Sequence, residues 1–112
     1  MKKISAIEEA FALHCRASGL VPVREHVFCS GRRWRFDFAF KDQMVAVELE
    51  GGIWTNGRHT RGSGVIGDMA KYNMAARLGW AVYRFDGGAV HRGEAIDFMV
   101  KVLEEKKKRE AA

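Results

Sequence analysis

The chain has 112 residues, 47% of them hydrophobic and 29% charged, and its Lys and Arg exceed its Asp and Glu to give a net charge of +5. That length suits one domain, residues 1–112, with a single core. No apolar run approaches the roughly 20 residues that a membrane-spanning helix needs, and MKKISAIEEAF turns acidic too soon for a secretory signal. A cytoplasmic protein with no membrane partner is therefore expected. Cys15 and Cys29 have neither zinc-site spacing nor the density of a disulfide scaffold, so they are expected to be reduced thiols without a role. The excess of basic residues favours a polyanionic partner.

Taken in chain order, residues 4–18 place Ile4, Ile7, Phe11 and Cys15 at helical spacing, and Gly19 is a natural stop. Pro22 ends that pattern, VREHVF reads as a strand, and SGRR is a basic turn. RFDFAF alternates, which predicts Phe36, Phe38 and Phe40 on one side and Arg35, Asp37 and Ala39 on the other. After the polar KDQ, MVAVELE alternates again, with Val45, Val47 and Leu49 opposed to Ala46, Glu48 and Glu50. Residues 51–67, GGIWTNGRHTRGSGVIG, contain no acid but hold Arg58, His59 and Arg61, so this loop can face phosphate. Ile66, Met69, Asn73 and Ala76 predict a helix over 65–78. WAVYRF is a short β-type run, and Ile96, Met99, Val100 and Leu103 mark a closing amphipathic helix. The fold class is α/β, in the order helix, three strands, helix, strand, helix.

The two alternating strands carry the chemistry. With a hairpin closed at Asp42 and Gln43, residue 41 pairs with 44, and counting outward sets Asp37 opposite Glu48, Ala39 opposite Ala46 and Arg35 opposite Glu50. A four-residue loop keeps this register, whereas a three-residue loop separates the acids. Opposed carboxylates repel unless neutralised, and Mg²⁺ binds through one or two carboxylates together with substrate phosphate. The competing interpretation is a solvated sheet face on which Glu48 and Glu50 are surface acids and Arg35 is their cross-strand partner.

Asp37 in RFDFAF, followed by Glu48, Leu49 and Glu50 at the end of the next strand, resembles the PD-(D/E)XK nuclease superfamily. DFAF, VAVELEGG, the basic loop with His59, DMAKYN and LGWAVYRF together resemble the small stand-alone endonuclease domains related to very-short-patch-repair enzymes, across most of residues 8–90. The resemblance implies a restriction-endonuclease-like core and hydrolysis of DNA phosphodiester bonds with Mg²⁺ or Mn²⁺, in repair or recombination. It also implies metal ligation by Asp37, Glu48, the Leu49 carbonyl and a helix carboxylate, Glu8, with Glu9 as the alternative. The family usually has lysine where this chain has Glu50. Glu50 then either binds a second metal or takes a proton from water, and Lys71 is the candidate replacement for the lysine; otherwise Lys71 is a surface residue paired with Asp68. His59 is a candidate to orient the phosphate or to protonate the leaving oxygen. Arg33, Arg35, Trp54, Arg58, His59 and Arg61 are candidate DNA contacts. Trp34 is a weaker stacking candidate, Trp80 is assigned to the core, and Glu25 is read as an ion-pair partner of low functional promise. No P-loop and no partnered nucleophile occurs, and no organic cofactor is expected. Recognition of a branch, nick or mismatch is expected over a long base sequence, and a homodimer would supply two sites. The alternatives are an inactive nuclease-fold binding module and an RNase.

Overall fold

The computed structural model describes residues 5–51 and 62–111. The elements are α1 (Ala6–Ala17), β1 (Val23–Val27), β2 (Arg35–Phe40), a 3₁₀ turn (Lys41–Gln43), β3 (Val45–Glu50), α2 (Gly62–Arg77), β4 (Ala81–Asp86), α3 (Gly87–His91) and α4 (Glu94–Ala111). The four strands form one mixed sheet in sequential order, antiparallel from β1 to β3 and parallel between β3 and β4. Parallel pairing obliges a crossover, which contains α2. The short α3 is additional to the elements expected from sequence. Its start is fixed by Asp86, whose carboxylate accepts from the Gly88 and Ala89 N–H groups.

Both faces of the sheet are covered. Phe38, Phe40, Val45 and Val47 pack with Phe11 and Cys15 of α1, Val90 of α3, and Ile96, Met99 and Leu103 of α4. On the other face Phe36, Ala39 and Ala46 pack with Ala75 of α2, flanked by Phe28, Trp80 and Val82. The alanines explain the asymmetry: small side chains opposite each other let α2 lie close to the sheet. Cys15 and Cys29 are both free, and burial pushes the Cys15 thiol up to about 11. Among the described residues, no helix is long and apolar enough to cross a membrane.

Two sequence expectations are corrected here, while the β2–β3 connection is the four-residue loop, one of the two lengths that keep the register, with Met44 in the left-handed region (φ 58°). It keeps the expected register, Ala39 opposite Ala46 and Phe38 opposite Val47. Phe36, however, does not share a face with Phe38 and Phe40. Alternation reverses at Asp37, where the carboxylates, not the backbone, supply hydrogen-bond partners: Asp37 N–H donates to Glu48 Oε2 (3.3 Å) and Leu49 N–H to Asp37 Oδ2 (2.8 Å). Finally, Ile66, Met69, Asn73 and Ala76 are the exposed side of α2. The helix meets the sheet through Lys71, Tyr72 and Ala75, because the surface below it carries an acid as well as alanines.

Candidate metal and active site

The acids gather where β1, β2 and β3 lie side by side. Continuing the two registers places Glu25, Asp37 and Glu48 in one row across the sheet. Glu25 has φ 52°, an uncommon conformation for a residue with a side chain, and the β1–β2 pairing lapses there while Arg24 and His26 on either side keep their partners. From α1, Glu8 reaches the same place. Ser5 caps that helix by accepting the Glu8 N–H at 3.0 Å, and Gly51 and Gly87 admit the Ile7 side chain, which a Cβ at either position would meet at 2.8 and 3.0 Å. Glu9, the alternative helix acid, instead pairs with Arg24 at 2.7 Å, fastening α1 to β1.

Glu8, Glu25 and Asp37 each offer a carboxylate oxygen within 4.8 Å of the others. Asp37 registers the crowding. Burial pushes its carboxyl up to about 7, and the charges of Glu48, Glu8 and Glu25 add to the rise, while the bond from Leu49 N–H opposes it. Three hard oxygen donors with surplus negative charge fit a Mg²⁺- or Mn²⁺-type ion.

Glu48 stands beside this group in a different state. It is buried, its Oε1 accepts from Lys71 Nζ and from Tyr72 Oη (2.9 Å), and its Oε2 takes the Asp37 N–H. Burial, followed by the Glu48 charge and hydrogen bond, drives the Tyr72 hydroxyl far above its ordinary range. Lys71 therefore belongs to Glu48 and not to the solvent-facing pair with Asp68. Nor is Arg35 the partner of Glu50. Arg35 approaches Glu25 at 3.5 Å, and Glu50 accepts from Arg84 Nε at 2.7 Å and from Arg84 Nη2. Parallel pairing is the reason, since β4 sets Arg84 next to Glu48 and Asp86 next to Glu50, leaving Arg84 to reach along the strand. The Arg84 guanidinium also covers the Tyr72 ring at 4.8 Å.

Of the other candidates, Arg33 is exposed at the β1–β2 turn and Leu49 pairs with Phe85 on β4. Trp54, Arg58, His59 and Arg61 lie outside the described residues. Glu25, expected from sequence to be an ion-pair partner, pairs with Arg35 and also stands in the acidic group with Glu8 and Asp37. Its signal was present: residue 25 falls opposite Asp37 once the β1–β2 register is counted, but a seven-residue connection of uncertain pairing hides that count.

No family model and no curated protein matches this chain. Among solved structures it is similar to the catalytic domain of the homing endonuclease I-Bth0305I, with a TM-score of 0.64 and 15% sequence identity over 88% of this chain and 92% of that one. The likeness establishes a shared fold.

Proposed function

We propose that residues 1–112 act as a single metal-dependent DNA endonuclease domain of PD-(D/E)XK type, related to the very-short-patch-repair group. One observation carries the reading: Glu8, Glu25 and Asp37 converge beside a buried Glu48–Lys71 pair, and this occurs on a fold shared with a protein described as a homing endonuclease catalytic domain. Glu8, Glu25 and Asp37 would hold the cation, with the Glu48 Oε2 edge and the Leu49 carbonyl next to it. A divalent ion held by these residues would supply Lewis-acid neutralisation of phosphate charge and a more acidic bound water.

The protein's own groups divide the remaining work. Lys71 brings the positive charge that the resemblance would place at position 50, and its ammonium can donate to a non-bridging phosphate oxygen while staying close to Glu48. Glu50, anchored by Arg84, orients the end of β3. Arg33 and the basic segment with Arg58, His59 and Arg61 position the strand, and His59 is the residue proposed to serve the leaving oxygen. So small a surface favours recognition of DNA shape, such as a branch or nick, over a long base sequence.

The Lys71–Glu48 pair also favours a second reading, a binding module in which lysine has permanently replaced the ion at Glu48. Purified protein incubated with supercoiled plasmid, branched DNA and RNA, with Mg²⁺, Mn²⁺ or EDTA, separates the two. Nicking of DNA that requires a divalent ion and is reduced at least a hundredfold in Asp37→Ala is expected. No cutting in any metal, or cutting that survives Asp37→Ala, leaves the binding module; preferential cutting of RNA leaves an RNase.

A further inference from the structure

The turn between β1 and β2 has a composition that the carboxylate site does not account for. Residues 26–36, HVFCSGRRWRF, contain three arginines, three aromatic rings besides His26, and no acid. Gly31, at φ 81°, lets the chain reverse, and Arg32, Arg33 and Arg35 are exposed on either side of the half-buried Trp34.

The rings are ordered. Trp34 lies nearly parallel to Phe28, with centroids 6.5 Å apart and planes 16° from each other, and Phe28 stacks on Phe36 at 4.1 Å and 6°. Phe36 is fully buried and is braced edge-on by Trp80 at 5.1 Å. Trp34 is thus the outermost ring of a stack rooted in the core, so little side-chain freedom is left to lose on binding. The Arg32 guanidinium sits 4.6 Å from the Trp34 centroid, so the ring already takes a planar group against its face.

This stack runs toward the site. Lys71 Nζ lies 5.9 Å from the Phe36 centroid and is bonded to Glu48. Trp34, immediately before β2, precedes Asp37 by three residues, a span of roughly 10 Å for extended chain. Stacked DNA advances about 3.4 Å per nucleotide, so that span corresponds to about three nucleotides.

We propose that Trp34 is the outer step of a base-stacking ledge, and that it takes an unpaired nucleotide of the DNA strand whose phosphate lies at the carboxylates. Arg33, exposed beside the ring, holds a neighbouring phosphate. This rests on DNA being the substrate. An unpaired base is specified because a paired base shows the grooves only its edges, whereas a ring needs the exposed face of a base at a tail, nick or gap.

The test is binding in EDTA, where hydrolysis does not intervene, read by fluorescence anisotropy. The probes are a blunt duplex and the same duplex carrying a four-nucleotide single-stranded tail with 2-aminopurine. The tailed duplex is expected to bind about tenfold more tightly, with quenching of the 2-aminopurine. Trp34→Ala should bring it to within about twofold of the blunt duplex and abolish quenching, while Trp34→Phe keeps both and guards against a folding defect. Arg33→Ala should weaken both duplexes alike and lower the salt slope by about one. No preference for the tail, or a preference and quenching that persist in Trp34→Ala, overturns the ledge. Tail binding that follows these expectations in a protein that never cuts DNA leaves the ledge standing and removes only the nuclease reading.

Discussion

Glu48 keeps 8% of its side chain exposed, and Lys71 opposite it keeps 15%. Two charges so enclosed have lost most of their hydration, and what they regain is each other and the Tyr72 hydroxyl. Removing one partner of such a pair typically costs about 3–5 kcal/mol, because the survivor is left buried and uncompensated. Lys71→Met should therefore lower unfolding stability by about 3 kcal/mol in urea titration, and adding Glu48→Gln to it should restore more than half of that loss. A cost below about 1 kcal/mol for Lys71→Met would mean the pair is solvated and contributes as little as a surface ion pair. Of the acids gathered here, alternation and hairpin counting bring only Asp37 to Glu48; Glu8 is named through the resemblance alone, and Glu25 is read as an ion-pair partner. Lys71 was legible as a residue but not in its partner. On a helix Asp68 is three positions away and visible in the sequence, whereas Glu48 becomes its neighbour only when the crossover lays α2 over β3.

At the scale of elements, α1 is the part that delivers Glu8. Its first turn is fixed at two points, the Ser5 cap and the seat of Ile7 beside Gly51 and Gly87. Ser5→Ala leaves the Glu8 N–H without its cap and should cost about 1 kcal/mol. Because the same turn presents the Glu8 carboxylate, the change should also weaken Mg²⁺ binding severalfold by calorimetry, whereas Glu9→Gln, which loosens only the Arg24 pair, should leave it unaltered. Equal metal affinities in Ser5→Ala and the parent would detach the cap from the site. Periodicity read α1 and α4 well, since Phe11, Cys15, Ile96, Met99 and Leu103 are buried where the stripes predicted. It misread α2 because that helix rests on a charged and alanine-lined surface, so its inward face is Lys71, Tyr72 and Ala75 and its larger apolar residues are left outside. The reversal between Phe36 and Phe38 escaped for a related reason: period-two patterning assumes an unbroken ladder, and side chains interrupt the ladder at Asp37.

For the whole molecule, the acid cluster makes stability depend on pH and on cations. Asp37 holds its proton up to about pH 7 in the folded state, against an ordinary value of 3.8. Between those values the folded chain binds a proton that the unfolded chain has released, so the slope of unfolding free energy against pH is negative there. Asp37's contribution is thus fully present below about pH 4, declines as pH rises toward 7, and is lost above about 8. Calorimetry without metal should accordingly show the melting temperature of the parent falling between pH 5 and 8 more steeply than that of Asp37→Asn, which has no carboxylate to ionise. A divalent ion reverses the balance by favouring the ionised form. At a hundred times its Kd it should add about 2.7 kcal/mol by mass action, on the order of 10 °C for a domain of this size, with a smaller gain at pH 5 where protons compete. Asp37→Asn should lose most of that gain. Identical pH slopes and identical Mg²⁺ shifts in the two proteins would mean that Glu8, Glu25 and Asp37 act as separate surface acids, and the convergence of α1, β1 and β2 would then have no bearing on metal.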